Sequence, residues 1–359
     1  MIKYIGSKRV LIPAIRDIIS SLDGVETVVD FFSGTARVGH AMKSAGYRVV
    51  SNDLLTYAYT LANCYVQADR EDVLDDAAKL LGEFRKIRGS PGYFTETFCE
   101  KSRFFQPHNG ERIDAIREAI AKKGLDPELE AVCLVSLMEA ADRVDSTTGV
   151  QMAYLKKWAA RAYNNLELRM PDVRPASRYG KCEAHHLEAR EAAKVLSGDV
   201  AYIDPPYNQH TYIGNYHVWE SLILWDKPEV YGIACKRIDC RDRKSDFNSK
   251  RKAIDALRHF FAAVDCRYLV VSFSNEGYVS REEMETMLEL HGDVYIVEKD
   301  HKRYVGAQIG IYNPSGELVG KVSHLRNKEY IYVVVPAGQP WGFAEDLQRL
   351  AEPEPTLFS

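Results

Sequence analysis

Asp204-Pro205-Pro206-Tyr207 is the segment of this sequence with the most explicit chemistry. Two consecutive prolines remove two backbone donors and hold a turn rigid. A carboxylate and the free carbonyl of Pro205 are then fixed together, with the flat ring of Tyr207 just beyond. That set matches an amino group carried on an aromatic ring. Asp204 accepts one N–H, the Pro205 carbonyl accepts the other, and Tyr207 stacks on the ring. Such an amine is a poor nucleophile, because its lone pair is delocalised into the ring. Two acceptors pulling on its hydrogens favour a pyramidal nitrogen and turn the lone pair toward an incoming methyl group. The Asp204 carboxylate then stabilises the positive charge that develops on nitrogen. The bland alternative is a rigid turn with an acid facing solvent.

A second constellation lies near the start of the chain, at Asp30-Phe31-Phe32-Ser33-Gly34-Thr35-Ala36. A glycine directly after a strand lets the backbone approach a ligand at the carboxyl edge of an open α/β sheet. Asp53 follows 23 residues after Asp30, at the end of the next apolar run, where a carboxylate can accept both hydroxyls of a ribose. The glycine turn and the acid together point to a nucleoside cofactor. By themselves they leave the choice between NAD and S-adenosylmethionine open.

The elements that position these residues read as α/β. Thr27 to Phe32 predicts a strand, Arg37 to Ala45 a helix stopping at Gly46, and Tyr47 to Ser51 a second strand, a βαβ unit of the usual length. Leu54 to Ala68 and Asp69 to Arg88 read as helices. Ser90 to Gly110 reads as a loop, and Ile113 to Lys123 and Pro127 to Val144 as helices. Strands return at Val200 to Ile203, Tyr268 to Phe273, Val294 to Val297 and Tyr330 to Val335, with a turn at Asn313-Pro-Ser-Gly316. The expected fold is a Rossmann-like doubly wound sheet interrupted by a mainly helical insert. Residues 1–74 and 196–337 form the catalytic domain, 75–195 the helical insert, and 338–359 a peripheral tail.

Composition is consistent with that size of fold. The chain has 359 residues, 46% hydrophobic and 27% charged, with a net charge of -4, so it buries a large core and is not disordered as a whole. No apolar run approaches the ~18 residues of a membrane span. Lys3, Gly6, Lys8 and Arg9 interrupt any signal-peptide core, and a cytoplasmic location is expected. The seven cysteines are scattered without a C-x-x-C pair and read as reduced thiols. Cys235 and Cys240 are a weak metal pair, and no metal is expected.

The sequence resembles the Dam-like, or alpha-group, adenine-specific DNA methyltransferases of restriction–modification systems, over nearly the whole chain and in the family's order. Asp204-Pro-Pro-Tyr207 is that family's catalytic motif unaltered. Asp30-Phe-Phe32-Ser33-Gly34-Thr-Ala36 is similar to its cofactor loop, with Ala36 in place of the second glycine, and Asp53 falls where its ribose-binding acid falls. Lys3-Tyr4-Ile-Gly-Ser-Lys8 resembles the cofactor motif that precedes the sheet. By this resemblance, Lys8 contacts the methionine carboxylate of S-adenosylmethionine and Tyr4 packs against the cofactor.

The same resemblance implies methyl transfer to N6 of an adenine flipped out of duplex DNA, and a cognate restriction endonuclease as a further partner. Backbone contacts are expected from Arg237, Arg241, Arg243, Lys244 and Lys250, in the basic run Lys236–Lys252. Lys302 and Arg303 are expected in a hairpin directed at a groove. The family's order also implies target recognition in the insert 75–195, where Lys101, Arg103, Lys156, Lys157 and Arg161 are further candidates. His185-His186 reads as a loop pair, and His210 and His217 flank the catalytic loop. The competing activities are methylation of RNA adenine or of DNA cytosine amino groups, or a non-catalytic DNA-binding module retaining the cofactor pocket.

Overall fold

The computed structural model describes residues 1–6, 8–302, 311–312, 318–320 and 326–343, with the side chains of 300–327 outside that description. Its centre is a seven-stranded sheet. In chain order the strands are β1 (Thr27–Asp30), β2 (Arg48–Asn52), β3 (Glu183–His185), β4 (Ser197–Ile203), β5 (Asp265–Ser274), β6 (Asp293–Lys302) and β7 (Arg326–Val335). Their spatial order is β3-β2-β1-β4-β5-β7-β6. The pairs β2–β3, β1–β2, β1–β4 and β4–β5 are parallel. Strand β7 lies antiparallel between β5 and β6.

β-Branched residues make the central strands nearly continuous apolar runs, as a sheet covered on both faces requires. Val28, Val49, Val200, Val270, Ile331 and Val333 join the core on one face. Val29, Val50, Ala201, Val271 and Val334 join that on the other. Helix α1 (Ile12–Ser20) and α2 (Arg37–Ser44) pack on the first face, and a helix at Ala253–Ala263 covers the second. The order of β1 to β2 reverses at β1–β4, so the carboxyl ends of β1 and β4 flank the crevice where open α/β sheets bind ligands.

The middle of the chain is helical over Arg70–Arg85, Pro107–Lys123 and Pro127–Val144. The last helix matches its expected bounds, and its start is fixed by Asp126, whose side chain accepts the Glu128 N–H. Two boundaries differ from the expectation. The sheet resumes at Glu183 rather than after residue 195, because Glu183–His185 pairs with β2, so that strand and the following helix Ala189–Val195 belong to the sheet layer. The expected tail also begins with a packed residue: Trp341 is buried, and its indole N–H donates to Ser21 Oγ at 3.0 Å. Residues 344–359, Asn313-Pro-Ser-Gly316 and Lys321 through residue 325 lie outside the described residues.

Candidate active site

The loop after β1 is shaped by two residues with left-handed backbone, Gly34 (φ 52°) and Ala36 (φ 57°). Glycine adopts that region freely, whereas alanine pays about 1–2 kcal/mol. The Ala36 carbonyl nevertheless opens α2, accepting the His40 N–H at 2.8 Å. Asp53, at the end of β2, ties the loop to its neighbour. Its Oδ2 accepts the Gly34 N–H at 2.8 Å and its Oδ1 accepts the Leu55 N–H at 2.9 Å. Burial pushes the Asp53 carboxyl up to about 6 against those two hydrogen bonds. Asp30 is 1% exposed. Burial, with the charges of Asp204 and Asp53 added, pushes its carboxyl up to about 8.

The N-terminal segment closes over this loop. The Tyr4 ring stacks on Tyr216 at 4.5 Å and on Tyr212 at 5.3 Å, and its hydroxyl meets that of Tyr57 at 3.2 Å. A Cβ on Gly34 would stand 3.5 Å from the Tyr4 ring. Tyr4 thus reaches Gly34 from a stack of aromatic rings that also holds the segment following Asp204-Pro-Pro-Tyr207.

Asp204 follows the last residue of β4. Its Oδ1 lies 3.1 Å from Lys8 Nζ, and Lys8, 8% exposed, also donates to Glu329 Oε2 at 3.2 Å. Burial works against the Lys8 charge, but the two acids more than offset it and hold its pKa well above the usual lysine value. Burial also pushes the Asp204 carboxyl up to about 6, with Lys8 opposing and Glu329 adding to the rise. The Tyr207 ring sits edge-on to Phe273 at 5.9 Å, and its carbonyl accepts the Tyr278 N–H at 2.9 Å.

These pieces surround one cavity of about 290 Å³. Tyr4, Lys8, Asp30, Phe32, Ser33, Gly34, Asp53 and Asp204, all expected from the sequence, line it together. Phe32 is held edge-on by Phe247 at 5.4 Å. Pro206 also lines the cavity, whereas Pro205 and Tyr207 stand outside its lining. An acid at each of three strand ends, Asp30 buried and Asp53 and Asp204 half-buried, with a glycine loop and an aromatic wall, suits a ligand with a ribose and a positively charged centre.

The basic run after the motif divides. Arg241, Lys244 and Lys250 are exposed, with Arg241 lying over the Tyr231 ring at 4.2 Å and Lys244 on the cavity rim. Arg243 lines the cavity and pairs with Glu220 at 2.8 Å. Arg237 differs from the expectation of a backbone contact. Its guanidinium is 3% exposed, held by both oxygens of Asp226 at 2.7 Å and both of Asp239 at 3.0 Å. Asp239 within the run and Asp226 ahead of it satisfy the guanidinium internally. Lys302 ends β6 with its side chain outside the description, and Arg303 lies outside the described residues.

In the insert, Arg161 is tied to Asp145 at 2.7 Å, and Arg103 lies over Trp158 at 4.7 Å. His186 Nε2 bonds the Leu54 carbonyl at 2.9 Å and stacks on Tyr59. His217 is buried against the Gln151 carbonyl, and burial pushes it down to about 3, so it stays neutral. Sequence reasoning missed Glu220 and Glu329. Glu220 is fully buried and accepts the Thr56 and Tyr57 N–H groups at the start of the helix Thr56–Ala62. Each is a lone acid in or beside an apolar run, and that was the available signal.

A family model described as D12 class N6 adenine-specific DNA methyltransferase matches residues 4–287. The type II methyltransferase M.FokI of Planomicrobium okeanokoites is 32% identical over 309 residues, covering 81% of this chain and 47% of that protein. Modification methylase StsI of Streptococcus sanguinis is 30% identical over 321 residues, covering 84% and 48%. The type II methyltransferase M.NlaIII of Neisseria lactamica is 27% identical over 339 residues, covering 91% and 99%. The chain therefore spans about half the length of the first two relatives and nearly all of the third.

Proposed function

The chain belongs to the D12 class of N6 adenine-specific DNA methyltransferases, and from that premise we propose that it methylates the N6 amino group of an adenine at a specific site in duplex DNA, using S-adenosylmethionine. The observation that carries this reading is the convergence of Asp30, Asp53 and Asp204 on a single cavity at the carboxyl edge of β1, β2 and β4.

The cavity's residues fit that donor. A carboxylate offers about four acceptor positions, so Asp53, already holding two backbone N–H groups, retains capacity for ribose hydroxyls. Asp30 supplies a buried acid for the amino-acid end, with Lys8 and Tyr4 beside it, and Phe32 supplies an apolar wall. When bound, the sulfonium supplies a methyl electrophile. Asp204 accepts one hydrogen of the target amine and the Pro205 carbonyl the other, so the nitrogen lone pair turns out of the ring. Asp204 stabilises the charge that grows there, and the surplus proton leaves to water. Tyr207 offers its ring to the extruded base, returning ~1–3 kcal/mol of the unstacking cost.

Exposed Arg241, Lys244 and Lys250 are the proposed backbone contacts, Lys244 at the cavity itself. Lys156 and Lys157, both exposed, are further proposed contacts within the insert, which is the proposed region of target recognition. The names of the relatives support a cognate endonuclease as partner. Among the described residues no helix is long and apolar enough to cross a membrane, and a cytoplasmic site of action is proposed. The test is transfer of labelled methyl from S-adenosylmethionine to duplex DNA, RNA and protein, with nucleoside digestion of the product. N6-methylated deoxyadenosine is expected. Label found only in RNA, protein or cytosine refutes the proposal.

A further inference from the structure

Glu329 occupies a place on β7 where the fold alone calls for an apolar side chain. Alternate residues of a strand share a face, and Ile331, Val333 and Val335 on the Glu329 face are all buried in the core. Glu329 is itself 8% exposed. A buried carboxylate is costly unless it is paired. Its partner is Lys8 Nζ at 3.2 Å, the same nitrogen that stands 3.1 Å from Asp204 Oδ1. Three separate elements, the N-terminal segment, the end of β4 and the antiparallel strand, therefore deliver two acids to one ammonium.

We propose that Glu329 is a positioning residue for methyl transfer: by sharing Lys8 with Asp204 it fixes the lysine between the two acids and keeps the Asp204 carboxylate from being fully neutralised, so that it still accepts a hydrogen of the target amine. This inference rests on the methyltransferase reading of the site. With Glu329 neutral, Lys8 turns its whole charge on Asp204 and makes it a weaker acceptor.

The sign of the effect follows from the surroundings. Asp204 is faced by Lys8, Glu329 and Asp30, with the hydroxyls of Tyr202, Tyr207 and Tyr212 around it. Lys299 stands opposite Glu329 across the β6–β7 pair, and Ser274 opposite it on β5. The negative charge of Glu329 holds the Asp204 carboxyl up, and Lys8 holds it down. Methyl transfer requires the ionised acid, so kcat rises with pH through the Asp204 midpoint. Two acids bound to one nitrogen stand on the order of 6 Å apart or less, which makes removal of one charge worth about one to two pH units at an effective dielectric constant of about 20 to 40.

The experiment is kcat against pH for methylation of a duplex substrate at saturating S-adenosylmethionine, with wild type, Glu329→Gln and Lys8→Met, each also followed through thermal melting. Glu329→Gln is expected to move the acid limb about one unit toward lower pH and to lower the plateau about threefold, in proportion to the weaker base. Lys8→Met is expected to move the limb toward higher pH. A folded Glu329→Gln protein with lowered kcat and an unmoved limb marks a merely structural residue and overturns the proposal. If that variant does not melt cooperatively, the Lys8→Met limb decides: displacement upward supports the shared lysine, and no displacement overturns it. A wild-type protein inert on every duplex instead refutes the methyltransferase reading itself.

Discussion

Replacing Asp30 by Asn is expected to stabilise the unliganded protein, and increasingly so as pH rises. Asp30 is 1% exposed at the end of β1, and burial, together with the negative charges of Asp204 and Asp53, pushes its carboxyl from the ordinary 3.8 up to about 8. A raised acid keeps its proton in the folded state over a range where the unfolded chain has lost it. Below about pH 4 both states are protonated, and the group contributes nothing to pH dependence. Between about 4 and 8 the unfolded state binds fewer protons, so stability falls as pH rises. One pH unit of displacement corresponds to 1.36 kcal/mol. Even a quarter to a half of the apparent displacement is worth about 1.5–3 kcal/mol, a large fraction of a domain's total stability. Asn has nearly the same shape and no proton to lose. Asp53 and Asp204 titrate in the same direction, but they are common to both proteins and drop out of the difference. Urea or thermal unfolding of wild type and Asp30→Asn at pH 5, 6.5 and 8.5 measures it. The variant's advantage should be larger at pH 8.5 than at pH 5 and reach at least 1 kcal/mol at pH 8.5. An offset that is the same at all three values, or a variant less stable at pH 8.5 than at pH 5 relative to wild type, would refute the reasoning.

Asp204→Asn should lower single-turnover methyl transfer by about 10²–10³-fold, the usual cost of removing one preorganised electrostatic contact, while S-adenosylmethionine still raises the melting temperature. Activity within tenfold of wild type removes Asp204 from the mechanism. Asp53→Asn exchanges one acceptor oxygen for a donor, facing either the Gly34 or the Leu55 N–H. The clash of donors costs about 1–3 kcal/mol, and calorimetry should show cofactor binding weakened by roughly ten- to a hundredfold. An unchanged Kd contradicts the proposed role. Gly39→Ala would place a Cβ 2.9 Å from Ser51 Oγ and Val66 Cγ2, overpacking that costs about 1–3 kcal/mol against about 1 kcal/mol returned by helix propensity. The net expectation is a lower melting temperature, and a rise would mean that α2 does not pack so closely on β2.

Local signals made much of this protein legible. The helix Pro127–Val144 carries its own period, its Asp126 cap and the left-handed Gly124 before it, so no distant contact was needed to place it. The strand Glu183–His185 is three residues long and half-buried at the edge of the sheet. Its state is decided by pairing with β2, some 130 residues away, and its composition offers no more than a possible strand ahead of His185-His186. The polar starts of β5 and β7, Asp265–Arg267 and Arg326–Glu329, were hidden for the same reason. At the site, residues recognised by type and spacing converge on the cavity. Arg237 shows where counting charges fails, because Asp226 and Asp239 enclose its guanidinium. Ala36 shows that a glycine position read from a motif is a statement about φ: the loop keeps its positive φ with a methyl group present.

The acids around the cavity share a cost that the proposed ligand removes. Asp30, Asp53 and Asp204 are all held above their ordinary values, with burial the largest cause in each case. Hydrogen bonds from Gly34 and Leu55 restrain Asp53, Lys8 restrains Asp204, and the backbone at Gly39 and Phe32 restrains Asp30 against its burial and the charges of the two nearby acids. Environments that push neighbouring carboxyls apart assign them different work. Asp53, tied to the loop, fixes geometry. Asp204, balanced between Lys8 and its own burial, is ionised at neutral pH and able to answer a developing positive charge. On the proposed reading, Asp30 is the acid whose ionisation awaits a cation. S-adenosylmethionine carries two positive groups, a sulfonium and an ammonium. Binding it would therefore ionise Asp30 and release a proton, so its affinity should rise with pH up to about 8, the interval over which the empty protein loses stability.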